Sequence, residues 1–154
     1  MAEFNHNARI RQMDTPLFTL TNLSPADMTH PRGKTTWEFK MPGGMQLTTY
    51  FRQRGTTSGM HFHKGEDPSK NPEYIIVLIG MVYFFTKDRE GKTKSELVNV
   101  RIGENPTVIE VRPGIFHWME YISDTLYAEP RITHFDPAHP DTFGGDEWGN
   151  FIRE

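Results

Sequence analysis

Helical periodicity is hard to find along this chain. Apolar residues gather instead in short segments rich in β-branched and aromatic side chains. Met45-Gln-Leu-Thr-Thr-Tyr-Phe-Arg52 alternates roughly between apolar and polar positions and predicts a strand. Two denser β-forming runs, Tyr74–Leu78 and Met81–Thr86, flank Gly80, which reads as a hinge. The polar stretch from Lys87 to Lys94 predicts a turn, with a returning strand over Glu96–Val100. Thr107–Val111 and Thr125–Thr133 complete the set. Ser24-Pro-Ala-Asp alone looks like a helix start, with Ser as cap and Pro at the first helical position. Many short strands between regular turn signals predict an all-β sandwich or barrel with at most a minor helix.

Composition agrees with this reading. Glycine (13) and proline (11) make up about 16% of the 154 residues, against about 12% in an average protein. Apolar residues at 36% and aromatics at 12% are enough to fill a core, and the length fits one domain. The expected organisation is an N-terminal arm or extra strands over 1–40, a barrel over 41–143 and a C-terminal tail over 144–154. The arm is expected to pack on a neighbouring subunit and so to cover sheet edges in a homodimer. The stretch from Phe135 onward, rich in Pro, Gly and Asp, is expected to lie over the outside.

A formal charge of -3 gives no electrostatic footprint for nucleic acid. Without cysteine, a disulfide framework, a thiolate metal site and a cysteine nucleophile are excluded. Residues 1–16 lack the apolar run of a signal peptide. The longest uncharged apolar run, Tyr74–Phe85, falls short of the 18 or more residues of a membrane span. The expectation is a soluble, cytoplasmic protein.

The chemistry concentrates around His61-Phe-His63. Residues i and i+2 of a strand point to the same face, so the two imidazoles can hold one ion. Glu73, at the head of the strongest strand, can add a carboxylate, and His117 follows the turn Pro113-Gly114-Ile-Phe. Three imidazoles and a carboxylate suit zinc first, and also iron, manganese, nickel or cobalt. Glu66 is a rival carboxylate, nearer in sequence to the His pair. It sits in a polar Gly/Pro loop with no strand to fix it, so Glu73 is preferred.

Gly55, His61, His63, Glu73 and Gly80 match the first motif of the cupin superfamily, and Pro113-Gly114-Ile-Phe-His117 resembles the second. Two features depart from the pattern: ten positions separate His63 from Glu73, and the second motif carries its glycine one place early. The resemblance covers about residues 45–143. It implies a single-domain double-stranded β-helix, or jelly-roll barrel, often dimeric, with metal ligands inside. Phe135-Asp-Pro-Ala-His-Pro-Asp-Thr-Phe143 is similar to the ending of one cupin group, the C-terminal domain of capsular polysaccharide reductase/epimerase proteins. Lys70-Asn-Pro-Glu73, Ile109–Gly114 and Ser123-Asp-Thr125 also fall where that group has similar residues. This likeness implies a zinc-binding epimerase of a UDP-linked 4-keto-6-deoxy-amino-sugar.

Epimerisation beside a ketone needs a base, a stabiliser of the enolate oxygen and an acid on the opposite face. A metal on His61, His63, Glu73 and His117 can polarise the keto oxygen. In a metal-free variant His61 or His63 can be the base. Tyr50, Tyr83, Tyr121 and Tyr127 are candidates for the returning acid, with Tyr121 preferred. Arg52 and Arg54, one strand face apart by two residues, can receive a diphosphate or carboxylate. Phe62, Phe116 and Trp118 read as walls of the site, and His6, His30, His134 and His139 have no expected role. Three other readings use the same residues: a metal-dependent dioxygenase, a sugar-phosphate aldose–ketose isomerase, and a non-catalytic small-ligand-binding module.

Overall fold

The computed structural model describes residues 9–14 and 19–23 as backbone strands and residues 33–151 with their side chains. The helix start at Ser24, and His6 and His30, lie outside the described residues. Strands β1 (Arg9–Asp14) and β2 (Thr19–Leu23) pair with each other. The other eight strands form a single antiparallel sheet. They are β3 (Lys34–Lys40), β4 (Gln46–Arg52), β5 (Thr57–His61), β6 (Glu73–Lys87), β7 (Thr93–Val100), β8 (Thr107–Val111), β9 (Phe116–Tyr121) and β10 (Thr125–Arg131). Their order is β3-β4-β10-β6-β9-β5, with β7 and β8 also pairing with β6.

The two runs read as hinged at Gly80 are one 15-residue strand, and that strand organises the fold. Its first half pairs with β8 and β10, its second with β7 and β9. Ile75 and Val77 are buried in the first half, Val82 and Phe84 in the second. The inward face therefore switches from odd to even positions. A strictly alternating strand would turn one half's apolar residues to solvent. Gly80, at φ +122°, makes the switch. A Cβ there would lie 2.3 Å from the Thr125 hydroxyl and 2.7 Å from the Asp124 carbonyl, so the β10 end can approach only a residue without a side chain.

Tyr121, Tyr127, Met119, Val100 and Val111 join the buried residues of β6 in the main core. A smaller core of Phe62, Phe116 and Trp148 closes one end. Trp148 belongs to helix α1 (Gly145–Phe151), in the stretch expected to be an outer tail. Seven residues with two glycines carry no periodic signal. The helix is held instead by burial of Trp148, whose indole N–H donates to the Gly114 carbonyl at 3.0 Å, and by Glu147, which accepts the Gly144 N–H. Strand β3, from the segment read as an arm, pairs with β4 along its whole length. No helix among the described residues is long and apolar enough to cross a membrane.

Candidate metal centre

Adjacent strands bring the predicted ligands together. His61, the last residue of β5, stands opposite His117 on β9. A register shift between Gly59 and His61 throws Met60 outward, 57% exposed at φ +62°, and so returns His61 to the inner face. Past the strand, Phe62 is fully buried against Phe143, and His63 turns back inside. Glu73 opens β6 opposite Val111. The ring centroids of His61 lie 4.7 Å from those of both His63 and His117, which are 5.4 Å from each other. One donor atom from each of His61, His63, Glu73 and His117 falls within 4.8 Å of the others. Donors on opposite sides of an ion bonded at about 2.1 Å stand about 4.2 Å apart, and tetrahedral donors about 3.4 Å, so the outermost pair would draw in by about 0.6 to 1.4 Å to close on one cation.

The hydrogen bonds around the cluster prepare it for that cation. The His63 Nδ1–H donates to the Asp141 carbonyl at 2.5 Å, and the His117 Nδ1–H to the Ile115 carbonyl at 3.1 Å. With Nδ1 protonated, a neutral ring presents a bare lone pair at Nε2. Both Nε2 atoms lie 3.1 Å from the same oxygen, Oε2 of Glu73. Lone pair against carboxylate needs a positive charge between them, which either a second ring proton or a divalent ion supplies. The other carboxylate oxygen, Oε1, is held by the Lys70 ammonium, so Glu73 offers one oxygen to the centre. Burial by itself would raise the Glu73 carboxyl; the contacts with His117 and His63 and the charge of Lys70 outweigh it and hold the group well below the ordinary carboxylate range. Burial, reinforced by the neighbouring His117 and His63, lowers the His61 pKa to about 3, so this ring is neutral at pH 7. The donor set thus fits a divalent metal such as zinc, manganese or iron.

The cluster opens on a cavity of about 260 Å³. Its walls include Tyr50, Arg52, Lys70, Tyr127, Glu129 and Trp118. The Tyr50 hydroxyl lies 3.3 Å from Oε2 of Glu129, which is 3.3 Å from the Lys70 ammonium. Burial raises the Tyr50 hydroxyl well above its ordinary value, and Glu129 and Glu73 add to the effect. The Lys70 ammonium, which burial would lower, is raised by Glu129 and Glu73 and stays charged. Arg52 is 5% exposed, its guanidinium 4.9 Å from the Tyr50 ring centre. Nη1 bonds the carbonyls of Thr35 and Phe51 and Nη2 the Thr36 hydroxyl, but Nε has no partner, and no carboxylate among the described residues pairs with the group.

Other predicted residues fall elsewhere. Arg54 lies past the end of β4, exposed and away from the cavity walls, its backbone N–H on Asp124. Tyr121 is 2% exposed in the core behind the cavity, its hydroxyl bonded to Ser58. Tyr50 and Tyr127 line the cavity, and Tyr83 is 39% exposed on the outside. Glu66 is exposed on the far side of the 64–69 loop. Of the aromatic walls, Trp118 borders the cavity, whereas Phe62 and Phe116 belong to the smaller core. Lys70, Glu129 and Asp141 had no role from sequence. The three-residue spacing of Lys70 from Glu73 was the one available signal.

Fold and cluster together define the class: a cupin-fold protein with a His₃Glu candidate metal centre. Among solved structures, the chain is similar to the capsular polysaccharide assembling protein CapF of Staphylococcus aureus, at TM-score 0.65 and 21% identity over 81% of this chain and 34% of CapF. It is similar also to the oxalate decarboxylase of Lactobacillus farciminis, solved as a formate complex, at TM-score 0.58 and 11% identity over 82% of this chain and 34% of that one. The Bacillus subtilis oxalate decarboxylase, which has Mn(II) centres, matches at TM-score 0.53 and 11% identity over 89% of this chain and 30% of that one. The chain spans about a third of the length of each of these. No family model and no curated protein matches it.

Proposed function

We propose that this chain is a metal-dependent epimerase or isomerase of a nucleotide-linked keto-sugar, acting in polysaccharide biosynthesis. The observation that carries the proposal is one cavity in which a His₃Glu cluster faces Tyr50, Lys70 and Glu129, groups able to donate and accept protons. The likeness to CapF supports the choice of substrate. A divalent ion on His61, His63, Glu73 and His117, zinc being our choice, would polarise a keto oxygen. The protein's own groups do the rest. Tyr50, kept protonated by burial and by Glu129, is placed to donate a proton. Glu129, 3.3 Å from both Tyr50 and Lys70, is placed to accept one on the same side as Tyr50, a pairing that suits an isomerising proton shift; inversion would need a second base from another wall. His61, at a pKa of about 3, is a weak base, so we assign it to the metal rather than to proton transfer. Tyr121 does not line the cavity and reaches it only through neighbours, its hydroxyl on the lining residue Ser58, so we assign the acid to Tyr50, which lines the cavity directly. Arg52, buried with no carboxylate partner among the described residues, has one unpartnered donor, Nε, and a positive charge to attract an anionic group of the substrate.

The volume favours a second reading as well. About 260 Å³ lies below the 300–1,000 Å³ of typical drug-sized sites. It takes a sugar ring, leaving the nucleotide outside the mouth, or a small organic acid, which a metal-dependent dioxygenase would use.

Deuterium uptake from heavy water decides between them. Metal-loaded protein is incubated with UDP- and dTDP-linked 4-keto-6-deoxy sugars and the sugars are read by mass spectrometry. Incorporation that disappears in Tyr50→Phe and His117→Ala supports the proposal. No incorporation with any of them refutes it, and oxygen consumption with small acids then tests the second reading.

A further inference from the structure

The segment after β10 does more than cover the outside. Asp141 is 5% exposed and sits at φ +33°, a conformation that few residues other than glycine adopt and that Asp tolerates better than most. Its carboxylate accepts three backbone N–H groups of one loop: Lys64 at 2.8 Å, Gly65 at 3.0 Å and Asp67 at 2.9 Å. Its carbonyl accepts the Nδ1–H of His63. Two residues on, Phe143 exchanges both backbone hydrogen bonds with Phe62 at 3.0 Å. His63 lies beyond the last residue of β5, so no sheet ladder holds it. Its carbonyl is tied to the Gly114 N–H at 2.7 Å, and its ring is oriented by this strap.

We infer that Asp141 is a positioning residue for the metal centre: through its carbonyl and its anchored loop it fixes the His63 ring with Nε2 facing Glu73, making His63 a ligand. The inference rests on the metal-site reading above. Three anchored amides on one side and a ring nitrogen on the other leave the His63 backbone and side chain a single arrangement. Without them, the site keeps His61, Glu73 and His117 and loses its fourth donor.

The test is a double-mutant cycle on cobalt(II) affinity, measured by calorimetry, with the visible spectrum of bound cobalt as the signature of ligand number. Asp141→Ala should weaken binding about 10- to 100-fold, the usual effect of losing a group that orients a ligand, and His63→Ala, which removes the ligand itself, at least as much. The double variant should be no weaker than His63→Ala, and its spectrum the same. Additive losses, or an Asp141→Ala affinity within twofold of the parent, would overturn the inference. If Asp141→Ala does not fold, Asp141→Asn takes its place: both variants keep the backbone carbonyl, but Asn also keeps one side-chain acceptor oxygen for the loop, and should give a partial loss that again vanishes on the His63→Ala background. If the parent binds no cobalt, zinc or manganese, the metal reading fails by itself. The ¹⁵N shifts of His63 in metal-free protein then decide the inference: a hydrogen-bonded Nδ1–H in the parent should become an averaged ring in the variant, and identical shifts would refute it.

Discussion

Gly80→Ala isolates the contact on which the curled sheet depends. Two effects combine. The residue must keep φ +122°, where an L side chain is strained, by about 1–2 kcal/mol. The new methyl must also find room where the Thr125 hydroxyl is 2.3 Å away and the Thr125 Cα and Asp124 carbonyl are both 2.7 Å away. The hydroxyl can rotate, but the backbone of β10 cannot move without breaking its ladders with β4 and β6. Overpacking of this kind costs about 1–3 kcal/mol. The expected total is about 2–5 kcal/mol, which for a domain of this size lowers the melting temperature by about 4–20 °C. Gly103→Ala is the matched control, because Gly103 also has positive φ, +85°, but nothing within 4 Å of its would-be Cβ. It should lose only the conformational part. Urea unfolding followed by far-UV circular dichroism and by tryptophan fluorescence gives both values. A Gly80→Ala loss equal to that of Gly103→Ala would refute the argument, since the close approach would then contribute nothing.

Divalent metal should stabilise the fold by linkage, by about 2.7 kcal/mol at a free concentration one hundred times Kd. Glu73→Gln should abolish that gain in thermal unfolding; a full gain in the variant would remove Glu73 from the site. In metal-free protein, stability should fall as the solution is acidified. The His61 pKa is depressed from 6.5 to about 3 in the folded state, so its neutral form stabilises fully above pH 6.5. Between pH 6.5 and 5 the unfolded chain takes up a proton that the fold refuses, a loss of about 2 kcal/mol. His61→Asn should flatten that part of the denaturation profile, and an unchanged slope would count against a neutral, buried His61. On the substrate side, Arg54→Glu should leave KM within twofold and Arg52→Lys should raise it tenfold or more. The reverse order would move the anion seat out of the cavity.

The sequence by itself determined the all-β class, most of the strands and the four residues that cluster as the candidate metal centre. These are local matters. Alternation, turn residues and the spacing of His61, His63, Glu73 and His117 are written in neighbouring positions, and a strand face converts such spacing directly into direction. The sequence preferred Glu73 to Glu66 because a strand head is fixed and a Gly/Pro loop is not, and the fold brings Glu73 beside the three histidines. The tertiary structure alone decided what depends on distant segments meeting. Gly80 looked like a hinge between two strands, and only the approach of Thr125 shows it as a phase switch within one. Arg52 and Arg54 looked equivalent until the end of β4 buried the first and exposed the second. Tyr50, Lys70 and Glu129 come from three separate strands and loops, so no local pattern could join them. Asp141 lies 78 residues from His63, and a contact at that range follows from how the chain packs, which hydrophobic spacing does not encode.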